Sequence, residues 1–229
     1  MSKQKVVAID GPSGSGKSTI ARLIAADLGL LYVDTGAMFR AVGLAAEQAG
    51  VAADDEAAVS AFLPSLQIVY GEGEHLIAVN GRDVSQEIRH HAVSSLASKV
   101  SQWAAVRTYL LNLQRQLAQK RCCVMEGRDI GTVVFPEAFC KIFLTASANI
   151  RAQRRWAELQ ARGEDQSLAQ ILADIEARDA RDAQRALAPL KPAPDAVLLD
   201  SSSYEISAVA DQVKSLVMQK AAANGIILG

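Results

Sequence analysis

Residues 11–18 read Gly11-Pro12-Ser13-Gly14-Ser15-Gly16-Lys17-Ser18, between an apolar run, Val6-Val7-Ala8-Ile9, and a helix-forming one, Ile20-Ala21-Arg22-Leu23-Ile24. A strand, a glycine turn and a helix in that order suit a polyphosphate. Glycines let successive backbone N–H groups curl inward on an anion. The helix adds its unsatisfied N-terminal donors and the positive end of its dipole. At this spacing Lys17 reaches the β- and γ-phosphates, and Ser18 can ligate a magnesium ion. The pattern implies a nucleoside triphosphate site; a chance glycine turn does not account for all eight positions in this context.

Three further clusters carry charge where chemistry needs it. In Asp34-Thr35-Gly36-Ala37-Met38-Phe39-Arg40, Thr35 can cap a helix with Arg40 one turn in, a second anion site. An ordinary capped helix with a solvated arginine is an equal reading of those residues alone. Glu126-Gly127-Arg128-Asp129 follows the apolar Cys122-Cys123-Val124-Met125. A charged triplet at the end of a buried strand is costly unless it faces a ligand. Glu126 is placed to hold the water shell of magnesium beside Ser18, Arg128 to meet a phosphate, and Asp129 to accept from an exocyclic amine or hydroxyl. The competing reading is a surface ion pair. The third cluster is Arg151, Arg154 and Arg155, then Arg178, Arg181, Asp182 and Arg185, spaced mostly for one helix face in each set. Arginine stays charged and binds oxyanions in a fork, so a helical lid closing on phosphates is expected. Glu158, Glu164, Glu176 and Asp179 keep open a merely salt-bridged, solvated pair of helices.

The remaining candidates are weaker. His75, His90 and His91 have no metal or general-base spacing, and His90 and His91 are expected on the surface. Trp103 and Trp156 are expected to pack rather than stack. Three cysteines, Cys122, Cys123 and Cys140, read as buried reduced thiols.

The elements that must position these residues alternate. Strands are expected near Lys5–Ile9, Leu30–Val33, Arg121–Met125, Lys141–Leu144 and Ala196–Leu199. Helices are expected near Lys17–Leu28, Ala37–Ala49, Glu56–Phe62, Ala104–Gln119, Asn149–Ala161, Leu168–Leu187 and Ile206–Ala222. Nearly all-apolar strands between helices imply a parallel sheet covered on both faces, with ligands beyond the carboxyl ends of its strands. The glycine loop, Asp34–Arg40 and Glu126–Asp129 all follow such ends. Short strands Gln67–Tyr70 and His75–Val79, with an Asn80-Gly81 turn, read as an inserted β ribbon. The 229 residues are 50% hydrophobic but only 5% aromatic, so aliphatic side chains and alanine must fill the core. A net charge of −1 speaks against nucleic-acid coating or a membrane-surface role. No apolar stretch is long enough to span a bilayer, and no signal segment precedes the first strand; a cytoplasmic protein is expected.

Together, Ile9–Ser18, Asp34–Arg40, Glu126-Gly127-Arg128-Asp129-Ile130-Gly131-Thr132-Val133-Val134-Phe135-Pro136 and Arg178-Asp179-Ala180-Arg181-Asp182 closely resemble bacterial cytidylate kinases over essentially the whole chain. The resemblance implies a single P-loop domain over 1–229, an α/β three-layer fold with a central parallel sheet. It also implies a small β-containing monophosphate-binding insert near 35–105 and a helical lid near 148–188. The implied reaction is phosphoryl transfer from ATP to CMP or dCMP with Mg2+. Gly11, Pro12, Ser13, Gly14, Ser15, Gly16, Lys17, Ser18 and Thr19 would cradle ATP, with Arg151, Arg154 and Arg155 closing over it. Thr35, Arg40 and Arg128 would hold the acceptor phosphate. Ser98, Arg107 and Asp129 would read the cytosine edge, and Arg178 and Asp182 would contact the sugar. Arg185 would approach the phosphates, making Lys17, Arg128, Arg154 and Arg185 the catalytic set. Ser18 would ligate the metal directly and Glu126 through water. A monomer acting on small molecules, without nucleic acid or membrane, is implied. The chain has Phe39 where the family often has tyrosine, and Glu126 where it often has aspartate.

Besides a nucleic-acid-binding reading, weakened by the charge of −1 and the lack of an aromatic-basic surface, two rivals stay in view. One is a kinase of the same architecture for UMP or AMP. The other is a nucleotide-operated switch, which gives no joint role to Arg107, Asp129 and the lid arginines.

Overall fold

The computed structural model describes residues 3–71, 77–161 and 163–228. In chain order the elements are β1 (Gln4–Asp10), α1 (Lys17–Asp27), β2 (Leu31–Asp34), α2 (Thr35–Gln48), α3 (Glu56–Phe62), β3 (Ile68–Tyr70), β4 (Ile77–Val79) and β5 (Arg82–Asp83). Then come α4 (His91–Val100), α5 (Ala104–Lys120), β6 (Cys123–Gly127), β7 (Ala138–Thr145), α6 (Ala148–Ala161), α7 (Leu168–Ala183), β8 (Val197–Asp200) and α8 (Ile206–Ala223). Two compact units contain them, one of residues 1–33 and 118–229, the other of Asp34–Leu117.

The first unit is built on a five-stranded sheet in the order β2-β6-β1-β7-β8. β1 is central and pairs in parallel with β6 and β7, and β7 pairs in parallel with β8. The strands are covered on both faces, which is why Val6–Asp10 and Cys123–Gly127 are buried without alternation. On one face, Ile20, Ala21, Ile24 and Ala25 of α1 and Val209, Val213, Val217 and Ala221 of α8 pack on Val7, Ile9, Val124, Ile142 and Leu144. The repeats of four place each set on one helical stripe. Burying one such isoleucine contributes about 2 kcal/mol. α6 and α7 close a smaller core of their own, Ala152, Leu159, Ile171 and Ile175.

The second unit packs α2 against α4 beside an antiparallel β3-β4-β5 ribbon. Asn80 and Gly81, both at positive φ (50° and 81°), turn the chain between β4 and β5. β5 is too short to show in the sequence pattern. The expected strand His75–Val79 begins at Ile77; His75 lies outside the described residues. Gly43 sits where the helices meet: a Cβ there would stand 2.8 Å from Leu96 Cβ and 3.0 Å from its carbonyl carbon. Gly43→Ala sets a helix-propensity gain of about 1 kcal/mol against overpacking of about 1–3 kcal/mol. The clash is with Leu96 Cβ and backbone, which have little room to give, so the variant is expected to melt below the parent in a thermal scan.

Two boundaries differ from expectation for physical reasons. β6 runs on through Glu126 and Gly127, because pairing with β1 reaches Asp10↔Gly127, so Glu126 is a strand residue. α7 stops at Ala183 rather than Leu187. The N–H of Leu190 instead bonds the carbonyl of Asp182 at 2.8 Å, and Ala188 takes a positive φ of 49°. Arg185 is therefore a loop residue beyond the helix.

Candidate active site

The phosphate loop begins at the carboxyl end of the central strand. Gly11 lies so close to β7 that a Cβ would fall 1.9 Å from the carbonyl oxygen of Leu144, at a φ of 150°. Only glycine fits that close approach. Gly16, at φ 93°, is the residue from which α1 starts. Lys17 is the first residue of that helix and is buried. Its Nζ donates to the carbonyl oxygen of Pro12 at 2.6 Å and to Ser15 Oγ at 3.4 Å. Burial pushes the Lys17 ammonium down from its ordinary value, and the charge of Arg128 pushes it further, while Glu126 and Asp10 pull it back. Ser15 is fully buried and Thr19 is exposed.

Ser18 Oγ donates to Glu126 Oε2 at 2.9 Å, and the hydroxyl of Tyr32 donates to Glu126 Oε1 at 2.6 Å. Tyr32 in turn lies under the Arg22 guanidinium, 5.2 Å from the ring centroid. A hydroxyl beside a buried carboxylate is an all-oxygen donor set, which suits a hard cation that keeps its waters. The residues therefore fit magnesium.

Beside this pair is a cluster of arginines around one carboxylate. Asp182 is 1% exposed. Arg128 Nε donates to its Oδ2 at 3.1 Å, and Arg185 Nη2 to its Oδ1. Burial opposes ionisation of Asp182, but the charges of Arg128, Arg185 and Arg178 outweigh it and hold the carboxyl below the ordinary 3.8. Asp129 is buried at the start of a tight turn over Ile130–Val134. At the foot of that turn Asp10 accepts the N–H groups of Ile130 and Gly131. Burial raises the Asp10 carboxyl to about 6 despite those two bonds.

The three arginines of α6 differ from one another. Arg151 is buried and braced: its Nε donates to the carbonyl of Ala146, Nη1 to that of Ser13 at 3.1 Å, and Nη2 to Asp179. It supports the phosphate loop from below. Arg154 donates to Ser201 Oγ at 3.1 Å and to the Ser201 carbonyl at 2.7 Å, and Ser201 Oγ donates to the carbonyl of Ser15. Arg155 pairs with Glu158. Arg181 is exposed, and Trp156, expected to pack, is 43% exposed, at the edge of the α6 stripe that carries Ala152 and Leu159.

In the second unit the helix cap is Asp34, not Thr35. Asp34 has the extended backbone of a cap, and its Oδ1 accepts the N–H of Ala37 at 3.0 Å. Thr35 is the first helical residue and is buried. Asp34 Oδ2 also accepts from Arg40 Nη2 at 2.8 Å, which aims that guanidinium, while the N–H of Asp34 donates to the Tyr70 hydroxyl. Arg107 stacks over the Phe39 ring, 5.6 Å from its centroid, and donates to the Ser101 carbonyl. Ser98 is buried one turn before. Trp103 packs and donates to the Ala53 carbonyl, and His90 is exposed. Cys122, Cys123 and Cys140 are free and buried; burial pushes Cys123 and Cys140 up to about 12.

Asp10, Tyr32 and Asp34 escaped the sequence reading, since each ends or interrupts an apolar strand and looks like punctuation. Asp10 stands inside the motif Ile9–Ser18, Asp34 opens Asp34–Arg40, and Tyr32 lies two residues before it, which was the available signal.

A phosphate loop leaving the central strand of a parallel sheet, a magnesium-fitting hydroxyl–carboxylate pair and an arginine cluster define a P-loop phosphotransferase. The family model described as cytidylate kinase matches residues 7–219, and the chain belongs to that family. A cytidylate kinase of Syntrophotalea carbinolica is 47% identical over 222 residues, covering 96% of this chain and 94% of that one. One of Geobacter sulfurreducens is 46% identical over 217 residues, covering 94% and 93%. A solved structure of an uncharacterized protein from Eubacterium ventriosum shares the fold at 12% identity, with a TM-score of 0.50 over 93% of this chain and 98% of that one. The reaction of the family is transfer of the γ-phosphoryl group of ATP to CMP or dCMP, and this chain is a kinase of that kind.

Proposed function

We propose the residues that carry the reaction. Gly11–Thr19 hold the triphosphate, with Lys17 on its β- and γ-phosphates. Arg154 and Arg155 close over ATP, and Arg151 supports the loop they cover. Thr35, Arg40 and Arg128 take the acceptor phosphate, Ser98, Arg107 and Asp129 the cytosine edge, and Arg178 and Asp182 the sugar. Arg185 joins Lys17, Arg128 and Arg154 as a catalytic cation. The observation that carries this reading is the placement of Lys17, buried at the start of α1 and bonded, among the described residues, only within the phosphate loop to Pro12 and Ser15, with the charge of Arg128 near enough to depress it. Cations held together in a buried place are relieved when phosphate anions arrive.

A phosphate oxygen is already a competent nucleophile, so no strong base is required, and in-line transfer needs positioning and charge neutralisation. Lys17 and the arginines supply fixed positive charge that does not reorganise during the step. Ser18 would ligate a magnesium ion directly and Glu126 through water, and that ion would neutralise phosphate charge. The lid helices keep water from the transferred group.

No helix among the described residues is long and apolar enough to cross a membrane. The free, buried thiols and the near-neutral net charge support a monomeric cytoplasmic enzyme of small nucleotides without nucleic-acid partners.

The test is ADP release from magnesium-ATP with each nucleoside monophosphate supplied separately. The expected rate appears with CMP and dCMP, is weak with UMP and stays at background with AMP, GMP or no acceptor. Asp129→Ala is expected to raise KM for CMP well above its effect on KM for ATP. Equal changes in both would remove Asp129 from base recognition, and an acceptor-independent rate would favour the switch.

A further inference from the structure

Asp10 is buried at 4% exposure, and none of the roles above uses it. It is the last residue of β1, directly before Gly11, and it pairs in register with Gly127 of β6 and Phe143 of β7. Its carboxylate leaves the strand sideways. Oδ1 accepts the N–H of Ile130 at 2.8 Å and Oδ2 that of Gly131 at 2.7 Å.

Those two N–H groups belong to a tight turn that satisfies its later donors itself. Val133 and Val134 donate to the carbonyl of Asp129, and Phe135 donates to that of Ile130. The first N–H groups of any such turn have no partner inside it. Here one carboxylate from a strand 120 residues away serves both, and charge-assisted bonds of this kind are among the stronger ones. Fixing the N–H of Ile130 fixes the peptide that joins it to Asp129. The turn approaches closely because residue 131 has no side chain. A Cβ on Gly131 would stand 3.4 Å from Asp10 Oδ2 and 3.1 Å from Lys141 Cδ. Lys141 cannot retreat easily, because its Nζ donates to the Pro136 carbonyl at 2.6 Å and to Asp195 at 2.7 Å.

We propose that Asp10 is a positioning residue: from the strand that feeds the phosphate loop it caps the turn after Arg128-Asp129, and so sets the aim of those two side chains on the acceptor nucleotide. The proposal rests on the assignment of Arg128 and Asp129 to the acceptor. Through this carboxylate the acceptor-reading turn and the ATP loop share one rigid origin, the end of the central strand. Loss of the carboxylate then disturbs the acceptor side, while the loop backbone, held by its own glycines and by Arg151, stays as it is.

Two variants disturb the contact from opposite sides. Asp10→Asn keeps the shape but turns an NH2 group toward a backbone N–H. Gly131→Ala keeps the carboxylate and pushes the turn away from it. KM for CMP and for ATP would be measured for each, with ATP affinity measured separately by calorimetry and folding checked by a thermal melt. Arg128→Ala serves as the comparator. The expected result is a KM for CMP raised about tenfold or more in both variants, the scale of one charge-assisted hydrogen bond, with ATP affinity unchanged within about threefold. Parent-like KM values, or equal losses for both nucleotides, would overturn the positioning role. If Arg128→Ala itself left KM for CMP at the parent value, the acceptor assignment underneath would fall instead. If Asp10→Asn did not fold, Gly131→Ala would decide on the same criteria.

Discussion

Lys17→Met is expected to lower phosphoryl transfer by roughly three orders of magnitude, the upper range for one preorganised donor to developing phosphate charge, while the folded state keeps or gains stability. The two halves of this expectation come from the same burial. Lys17 is 5% exposed and its ammonium donates to the Pro12 carbonyl and Ser15 Oγ, both in the loop itself. Burial and Arg128 penalise the charged form. A lysine with a lowered folded pKa costs stability while it is charged. As pH rises from that folded value toward 10.5, the unfolded chain holds more protons than the folded one, and stability rises. The parent should therefore gain stability across that window, and Lys17→Met should lose this slope and melt at or above the parent temperature at neutral pH. A residue kept at a cost to the empty protein is kept for the bound anion. Thermal melts at several pH values beside single-turnover transfer measure both halves. Near-parental turnover would remove Lys17 from the phosphate site.

The phosphate loop was legible because its chemistry is contiguous: strand, glycines, lysine and serine follow one another, and the backbone conformation that binds an anion is dictated by the glycines among them. Pairings across the fold were not. Nothing in the spacing of Arg128 and Asp182, fifty-four residues apart, indicates that they share a hydrogen bond. Asp34 and Thr35 are both short and polar and either type caps helices well; what chose Asp34 is the extended backbone that ends β2 and the Tyr70 hydroxyl bound to its N–H. The end of α7 was placed four residues late because Gln184–Leu187 is compatible with helix in isolation, and the carbonyl that would continue it is taken by Leu190 instead. Arg151 looked like its lid neighbours because helix periodicity gives a face without saying what packs on it. The structure puts that face against Ser13 and Asp179. Strand-borne polar residues, Asp10 and Tyr32, were missed for the same reason: a period of two marks which side is buried, not which buried group receives a bond.

Asp182→Ala is expected to destabilise the nucleotide-free protein by about 3–5 kcal/mol, a fall in Tm of roughly 10 °C. The carboxylate is 1% exposed and bonded to Arg128 and Arg185, whose side chains are 20% and 10% exposed, so solvent screens little of the interaction. Without it, Arg128, Arg178 and Arg185 lose the buried carboxylate that their charges surround. Asp182→Asn keeps the shape and one acceptor and should fall between. The pH dependence has a definite sign. An acid whose folded pKa is depressed stabilises fully above its unfolded value and loses that stabilisation as pH falls through the folded one. The difference between parent and Asp182→Ala should thus be complete above about pH 5, since the carboxyl's ordinary value is 3.8, and should narrow only below that value. Phosphate gives the decisive readout. If the arginines await an anion, saturating inorganic phosphate supplies negative charge where the carboxylate was lost, and Tm should rise more in Asp182→Ala than in the parent. Equal shifts would mean the cluster is structural, and parental melting of the variant would mean that Asp182 does not compensate these arginines at all.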